Sequence, residues 1–590
     1  MRMGKIMPTS MSDTPSTAAL PTCSGMHGEA RDQALDHEIP ESVWVLVLHR
    51  RQLVQPWERG SSPVGEVRLG PGPDRGHSFK ARPSIARDVP SYGTSRLHRE
   101  ESRATEGVQG ALGPIVNLGR LCEGGPLMTG ALQETLTEMA TRLEVPGVAA
   151  GVLLAGEEEY AFFGVTSVEN PLPVQEETLF QFGSTGKTFT ATAMLRLVDQ
   201  GRVDLDAPVR TYVPELRLQD EDVAQHVTVL QLFNHTAGWA GDLMDDTGAG
   251  DDALEKYVAR METLAQITPL GAGVSYNNAS LSLAGRIIEK VTGSTYEQAI
   301  RDLLLTPLGL DHTFFFMTEI MTRRFVAGHA RHEDGRITVS RPWAMPRGNS
   351  PAGGMSATAH DQLAWARFHL GDGTAPDGTR LLSAELLACM QQSTASMHGS
   401  ALGDEVGISW LLREVDGVRL VGHGGTTIGQ HSEFIMAPER HFAFTSLTNC
   451  GPNGAQLNKE LATWALEHYL DLVEQQPEPI MLGDAALRQY AGQYETIAAS
   501  CNVTAEGGRL LVMIRTKPEA AAVMREAGEE EPEEAPPIPL ALLSADGDGF
   551  VVPEGPAKGM KGYFARGANG VVDGVHLGGR LATRVPEAVE

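Results

Sequence analysis

The chain has 590 residues, which is too long for one ordinary domain, and its 41% hydrophobic and 21% charged residues are typical of globular proteins. With 65 Gly and 35 Pro it cannot be a coiled coil or a fibrous protein. The formal charge of −27 repels nucleic-acid phosphates and anionic lipids, so neither nucleic acid nor membrane is expected as a partner. Five scattered cysteines, without CxxC spacing, predict neither a disulfide framework nor a zinc knuckle and fit a reducing compartment.

The N-terminal stretch differs from the rest of the chain. Residues 1–127 show no sustained helical or strand periodicity, whereas a helical pattern follows Met128 directly. We interpret 1–127 as a disordered extension or the product of a wrongly assigned start codon, with a regulatory tail as the alternative. The longest apolar run there, residues 43–48, is too short for a membrane span, and no signal-peptide core is visible. The sequence therefore predicts a cytoplasmic protein.

The segment 128–476 has the texture of one domain. Two strands joined by a turn at Gly156 come first, several helices follow, and strands return before a last long helix. This order predicts an α+β domain whose sheet is assembled from both ends of the segment, with helices inserted between them. The predicted strands are 146–154, 159–165, 433–436 and 442–447, and the predicted helices are 188–200, 253–263, 280–291, 359–370 and 455–473.

After a linker marked by Pro477 and Pro479 the pattern changes. Residues 480–590 contain short alternating runs separated by Gly-rich turns, which predicts a small β-barrel or sandwich. The acidic, proline-rich residues 526–539 are predicted to be a disordered loop within it. The predicted strands are 502–505, 509–514, 550–552 and 574–577.

The most informative window starts the helix predicted at 188–200. Ser184 and Lys187 are three residues apart, so they lie on one helix face and the amine can reach the hydroxyl. A buried lysine beside a serine can act as a base and activate it as a nucleophile. The Gly-Lys-Thr at 186–188 also suggests a phosphate-binding loop, but Gln181 stands where that motif needs glycine.

Two further elements carry polar chemistry. Tyr276 is followed two places later by Asn278, and a phenol near a lysine ammonium has its anion stabilised and can share proton transfer. The Asn278 amide can bind a substrate carbonyl. His423 and Gly425 follow a strand-like run, where glycine lets a substrate backbone lie against an edge strand.

These three elements, in this order and 92 and 147 residues apart, resemble the motifs of the serine β-lactamase, penicillin-binding protein and D-peptidase superfamily. The resemblance covers about residues 130–474. It implies a β-lactamase/transpeptidase-like fold, with an antiparallel sheet flanked by helices and an inserted helical subdomain. Through the motif at 490–494, the C-terminal part is similar to the lipocalin-like β-barrels that some D-aminopeptidase-like members carry.

The resemblance implies acyl transfer through a covalent intermediate on Ser184. Lys187 and Tyr276 would handle the proton, Asn278 would orient the substrate, and the backbone N–H groups of Ser184 and Thr426 would form the oxyanion hole.

The third motif departs from most β-lactamases and transpeptidases, which have Lys-Thr-Gly where this chain has His423. A neutral histidine does not hold a substrate carboxylate as a lysine does, so carboxylate binding is not expected. We therefore favour an esterase or D-amino-acid peptidase, acting on a small-molecule or peptide-like ester or amide. A β-lactamase and a catalytically silent binding protein of the same fold are the alternatives, and the oligomeric state is left open.

No metal and no cofactor are expected. His329, His332 and Glu333 are close in sequence, but without a further ligand cluster they indicate a polar loop rather than a metal site. His235 and Trp239 are interpreted as packing residues at the wall of the cleft.

Overall fold

The computed structural model of this protein describes residues 130–586 except 244, 333, 519, 522–535, 545–546 and 556. The prediction for residues 1–127 and most of the predicted acidic loop lie outside the described residues. In the described part, no helix combines the length and the apolar character needed to cross a bilayer.

The strands of the described residues are numbered in chain order. They are β1 Gly147–Leu154, β2 Glu157–Gly164, β3 Phe180–Gln181, β4 Thr313–Phe314, β5 His329–Arg331, β6 Ile337–Val339, β7 Ser356–Ala357, β8 Ala395–Ser400, β9 Gly403–Val406, β10 Leu411–Val415, β11 Val418–Gly422, β12 Gly425–Thr426, β13 His431–Ala437, β14 Phe442–Thr448, β15 Cys450–Gly451, β16 Gly492–Glu495, β17 Ala499–Glu506, β18 Arg509–Thr516, β19 Ile538–Leu542, β20 Gly549–Val551, β21 Lys561–Arg566, β22 Val572–Leu577 and β23 Arg580–Arg584.

The α-helices of the described residues are numbered in the same way. They are α1 Ala131–Arg142, α2 Gly186–Asp199, α3 Glu221–His226, α4 Val229–Phe233, α5 Ala253–Arg260, α6 Asn278–Thr292, α7 Tyr296–Ile300, α8 Thr306–Leu308, α9 Met317–Ile320, α10 Ser350–Gly353, α11 Ala359–Leu370, α12 Ala384–Met390, α13 Asn453–Leu470 and α14 Asp484–Leu487.

The central sheet is antiparallel and takes strands from both ends of the first domain. Its order is β2-β1-β14-β13-β11-β10-β9-β8, with the short β12 paired to β13. β1 pairs along its length with both β2 and β14. The predicted α+β architecture, with a sheet assembled from the two ends of the segment, is confirmed.

Two hydrophobic cores lie on opposite faces of this sheet because side chains alternate along each strand. In β1, Val148 and Val152 pack in one core with residues of α1 and α13, while Ala149 and Leu153 pack in the other with residues of α2 and α11. Every residue of β1 except Leu154 is buried. The long apolar run predicted as a strand is thus explained by burial on both faces.

The helices between β2 and β8 form the inserted helical part of the domain. α2 is buried along almost its whole length, which anchors it between the sheet and the other helices. It begins two residues before the predicted start at residue 188, and α6 likewise begins at Asn278 rather than at residue 280. α11 coincides with the predicted helix 359–370.

The C-terminal strands β16 to β23 form a closed barrel, as the short alternating runs predicted. Its interior is filled by aromatic and aliphatic side chains, among them Tyr494, Phe550 and Phe564. One boundary of the predicted acidic loop is wrong, because Pro539 lies in β19, where it pairs with Leu511. Proline is tolerated in a strand wherever its missing N–H is not needed by the ladder.

Candidate active site

A tight turn before α2 presents Ser184. A 3₁₀ turn of Gly183–Thr185 leads directly into the helix, and Gly183 has a φ of +52°, in the left-handed region that favours glycine. Ser184 is half-buried, and its Oγ lies 3.0 Å from the Nζ of Lys187. The i, i+3 spacing therefore places the hydroxyl and the amine in direct contact.

Lys187 is fully buried, which is unusual for a lysine. Its Nζ donates a hydrogen bond to the backbone oxygen of Ala352, at 2.7 Å. Burial lowers the pKa of Lys187 well below its usual value because the charged form loses its hydration; the positive charge of Arg580 adds to this effect and Asp242 opposes it. A neutral amine can accept the proton of Ser184, as a general base must.

Tyr276 lies next to Lys187 and His423. The Nζ of Lys187 is 4.9 Å from the centroid of its ring, and its hydroxyl is 3.4 Å from the Nε2 of His423. Burial raises the pKa of Tyr276, and this outweighs the opposing effects of the Ser184 side chain and the Arg580 charge. The sequence argument expected a nearby ammonium to stabilise the phenol's anion, whereas burial favours the protonated phenol; the proton-transfer role of Tyr276 stays a prediction.

His423 is buried and neutral. Its Nδ1 lies 2.5 Å from the backbone oxygen of Gly424, so Nδ1 carries the proton and Nε2 is left to accept one from Tyr276. Burial lowers the pKa of His423 to about 3, and the nearby Lys187 adds to the effect. His423 thus carries no charge at neutral pH, and it orients the Tyr276 hydroxyl.

The short strand β12 packs against the nucleophile turn at a distance that only glycine allows. A Cβ on Gly425 would lie 2.7 Å from the backbone nitrogen of Ser184 and 2.0 Å from the oxygen of Phe182. A Cβ on Gly183 would in turn lie 2.7 Å from the nitrogen of Thr426. The Ser184 and Thr426 backbones thus lie close together across this contact, and their N–H groups stay the predicted donors of an oxyanion hole.

Side-chain hydrogen bonds hold that contact closed. Thr185 donates from its hydroxyl to the backbone oxygen of His423 at 2.8 Å, and Ser432 of β13 donates to the backbone oxygen of Phe182 at 2.7 Å. Thr185, Ser432, His423 and Phe182 are all buried. Losing either hydroxyl would therefore leave a buried backbone oxygen without that hydrogen bond. No sequence motif indicated the contacts of Thr185 and Ser432.

Asn278 lies at the start of α6, and its amide is held from behind. Its Nδ2 donates to Oδ1 of Asp242 at 2.7 Å. Asp242 also binds the guanidinium of Arg580, which belongs to strand β23 of the barrel, with N–O distances of 2.9 and 3.1 Å. Neither Asp242 nor Arg580 was found by sequence reasoning, because no motif links them and they are far apart in the chain.

The residues considered for a metal site make hydrogen bonds to the protein instead. His329 contacts the backbone oxygen of Asn449 with Nδ1, at 2.7 Å, and accepts from the amide of Val168 with Nε2, at 3.1 Å. His332 contacts the hydroxyl of Thr338. Glu333, the third residue considered, lies outside the described residues.

Comparison with known proteins is consistent with this arrangement. The model of the protein family described as Beta-lactamase matches residues 132–467, more than half of the chain. This chain belongs to the β-lactamase family. The family is one of serine hydrolases that includes penicillin-binding proteins, so the superfamily indicated by the motifs is confirmed.

Among relatives of this β-lactamase-family chain, penicillin-binding protein 4 of Amycolatopsis lactamdurans is 36% identical over 54% of the chain and 84% of its own length. A β-lactamase of Yersinia enterocolitica is 28% identical over 44% of the chain and 63% of its own length. The crystal structure of SurE aligns with a TM-score of 0.62 and 25% identity, covering 77% of this chain and 98% of SurE. The SurE alignment is long enough to extend beyond the family match at 132–467.

Proposed function

We propose that this protein hydrolyses an ester or amide through a covalent acyl-enzyme on Ser184, as an esterase or a D-amino-acid peptidase. The observation that carries the proposal is the 3.0 Å contact between the Ser184 hydroxyl and the amine of a fully buried Lys187. Burying a lysine ammonium costs free energy, so a fully buried lysine beside a serine favours the neutral amine as the form that acts on the serine.

The proposed reaction follows the positions of the protons. Ser184 Oγ attacks the carbonyl carbon while its proton passes to Nζ of Lys187, and the N–H groups of Ser184 and Thr426 bind the oxyanion. When the intermediate collapses, the neutral Tyr276 gives its phenolic proton to the departing alcohol or amine. The ammonium of Lys187 then returns a proton to Tyr276. Water repeats the sequence on the acyl-enzyme and releases the acid.

The remaining residues of the cleft have binding roles in this proposal. Asn278 orients the substrate, with one side of its amide fixed by Asp242. His423 keeps the hydroxyl of Tyr276 in place, and Gly425 brings β12 close enough for Thr426 to serve the oxyanion. Because His423 is neutral, it offers no charge for a substrate carboxylate, and this supports a neutral ester or amide substrate.

β-Lactam hydrolysis is the second candidate, and the similarity to a β-lactamase of Yersinia enterocolitica favours it. A β-lactam is an amide, so the same nucleophile and proton path would serve. We further propose a cytoplasmic location, because the cysteines are scattered without the spacing of a disulfide framework.

Intact-protein mass spectrometry tests the proposal. The protein is incubated with a fluorophosphonate, and separately with chromogenic esters, D-leucine amide and a cephalosporin, and the mass of any trapped adduct identifies the acyl group. We expect the adduct to map to Ser184 and to vanish in Ser184→Ala. Ser396→Ala, which removes an exposed hydroxyl from β8, is the matched control and should label like the wild type.

If the wild type forms no Ser184 adduct with any of these reagents, the protein is a silent binding protein of the same fold and the proposal is wrong. Turnover of the cephalosporin alone would favour the β-lactamase instead of the esterase or peptidase.

A further inference from the structure

We propose that the ion pair between Arg580 of the barrel and Asp242 of the catalytic domain is a positioning device that completes the Ser184 site and sets the charge around Lys187. This inference rests on the proposed acyl-enzyme function. It gives the C-terminal barrel a direct part in catalysis, through a residue that neither the motifs nor the family match includes.

The pair has the geometry of a strong interaction. The guanidinium meets the carboxylate in a fork, with Nε to Oδ2 at 2.9 Å and Nη2 to Oδ1 at 3.1 Å. The side chain of Asp242 is 7% exposed and that of Arg580 is 24% exposed. Since both groups are largely withdrawn from water, each needs the other, and removing one alone leaves an uncompensated charge.

Arg580 and Asp242 each contact a residue of the candidate site. The guanidinium carbon lies 4.7 Å from the centroid of the Tyr276 ring, and the Nζ of Lys187 lies 4.9 Å from the same centroid. The Tyr276 ring is therefore in cation–π contact with Arg580 and also lies against the amine of Lys187. Asp242 accepts the hydrogen bond from Asn278, so one ion pair fixes both polar members of the Tyr276–Asn278 motif.

The backbone of the same barrel hairpin is joined to this motif. The oxygen of Gly579 accepts a hydrogen bond from the amide of Tyr276 at 2.9 Å, and the amide of Leu581 donates to the hydroxyl of Ser275 at 3.3 Å. Hydrogen bonds on both sides of Arg580 thus hold its backbone in register with the site. Hydrogen bonds on both sides of a positioned residue are typical of a supporting contact for a functional site rather than of a nonspecific surface contact.

The charges near Lys187 follow from this arrangement. The ionisable groups around it are Tyr276, His235 and His423, together with Arg580 and Asp242. Both histidines have pKa values lowered by burial and are neutral, so the Arg580 cation and the Asp242 anion are the charges that act on the amine. Arg580 favours the neutral amine, and Asp242 favours the ammonium.

Arg580→Gln and Asp242→Asn should therefore shift the pKa of Lys187 in opposite directions. Arg580 and Lys187 are no more than about 10 Å apart, since each lies within about 5 Å of one ring centroid. At an effective dielectric constant of about 20, one charge at that separation shifts a pKa by about one unit.

The measurement is the rate of Ser184 labelling by a fluorophosphonate as a function of pH, followed by intact mass. Arg580→Gln should move the acidic limb of the rate profile up by about one pH unit, and Asp242→Asn should move it down. The double variant should return towards the wild type. Arg580→Lys keeps the charge but loses the fork, so it should keep the limb while labelling more slowly.

Arg566→Gln is the matched control. Arg566 forms a comparable pair with Asp548 and lies 5.7 Å from the Tyr490 ring, but all of these residues belong to the barrel part of the chain. Its removal should leave the limb unchanged.

Thermal unfolding checks that each variant is folded. If Arg580→Gln does not fold, the downward shift in Asp242→Asn and the unshifted limb of Arg580→Lys still decide the outcome. Limbs that stay in place, or that move in the same direction in both single variants, would overturn the inference and leave the pair a structural contact. Failure of the wild type to label at any pH would instead overturn the proposed function.

Discussion

Replacing Gly425 with alanine is the most direct way to perturb the contact between β12 and the nucleophile turn. The new Cβ would lie 2.0 Å from the oxygen of Phe182 and 2.7 Å from the nitrogen of Ser184, so one of the two backbones must move by about 1 Å to restore ordinary contact. That movement separates the amide of Thr426 from the amide of Ser184.

The size of the effect follows from the loss of one oxyanion donor. Such a loss typically costs about 10²- to 10³-fold in kcat, or about 2.7 to 4 kcal/mol of transition-state stabilisation. A misplacement of about 1 Å alone can cost about 10²-fold. We therefore expect kcat/KM of Gly425→Ala to fall by about 10²- to 10³-fold while Lys187 still contacts Ser184.

The assay is hydrolysis of the best chromogenic ester, with thermal unfolding as the check on folding. Gly424→Ala is the matched control, because a Cβ there would lie 3.3 Å from its nearest neighbour, the oxygen of Ser432. It should cost less than about tenfold, since that contact requires a shift of only a few tenths of an ångström. Gly425→Ala with activity within tenfold of the wild type, or a Gly424→Ala variant equally impaired, would refute the reasoning.

Three further predictions concern the proton path, the buried histidines and the core. Tyr276→Phe should lower kcat by about 10²- to 10⁴-fold because the proton donor is lost while the ring remains; single-turnover hydrolysis within tenfold of the wild type would contradict this. Burial lowers the pKa of His369 to about 3, so the unfolded state binds more protons and stability falls as the pH drops below about 6.5. Between pH 8 and 5.5, urea unfolding should show the wild type losing about 1.4 kcal/mol more than His369→Gln, and an equal loss would exclude this role. Trp365 is buried and stacks on Phe189 at 3.8 Å between ring centroids, so Trp365→Ala should lower the free energy of unfolding by about 3 to 5 kcal/mol; a loss below about 1 kcal/mol in urea would contradict it.

Local sequence signals predicted much of the fold. The apolar run of residues 147–154 and the helical pattern of 359–370 were sufficient, because burial on both sheet faces and the cap at Thr358 agree with what the sequence favours locally. The helix starts were placed two residues late at Gly186 and Asn278, since the first turn of each helix carries the polar residues of the site rather than an apolar stripe.

The candidate site was predictable only where chemistry follows a short motif. Ser184 and Lys187 are three residues apart, so helix geometry alone brings them together. Asp242 and Arg580 become neighbours only because the barrel docks on the catalytic domain, and no pattern in the sequence specifies that contact. Gly425 was expected to accommodate a substrate backbone, yet it faces the turn that carries Ser184, which required the packing of β12 to be seen.

The hydrogen bond from the Tyr276 amide to the Gly579 oxygen links the proposed activity to the completion of the fold. While the chain is being synthesised, the sheet, the nucleophile turn and the tyrosine all emerge before the hairpin that carries Gly579 and Arg580. A nascent chain can therefore form its central sheet and still lack the last contacts of its hydrolytic centre. The proposed hydrolysis would therefore begin only after the barrel has closed on the catalytic domain.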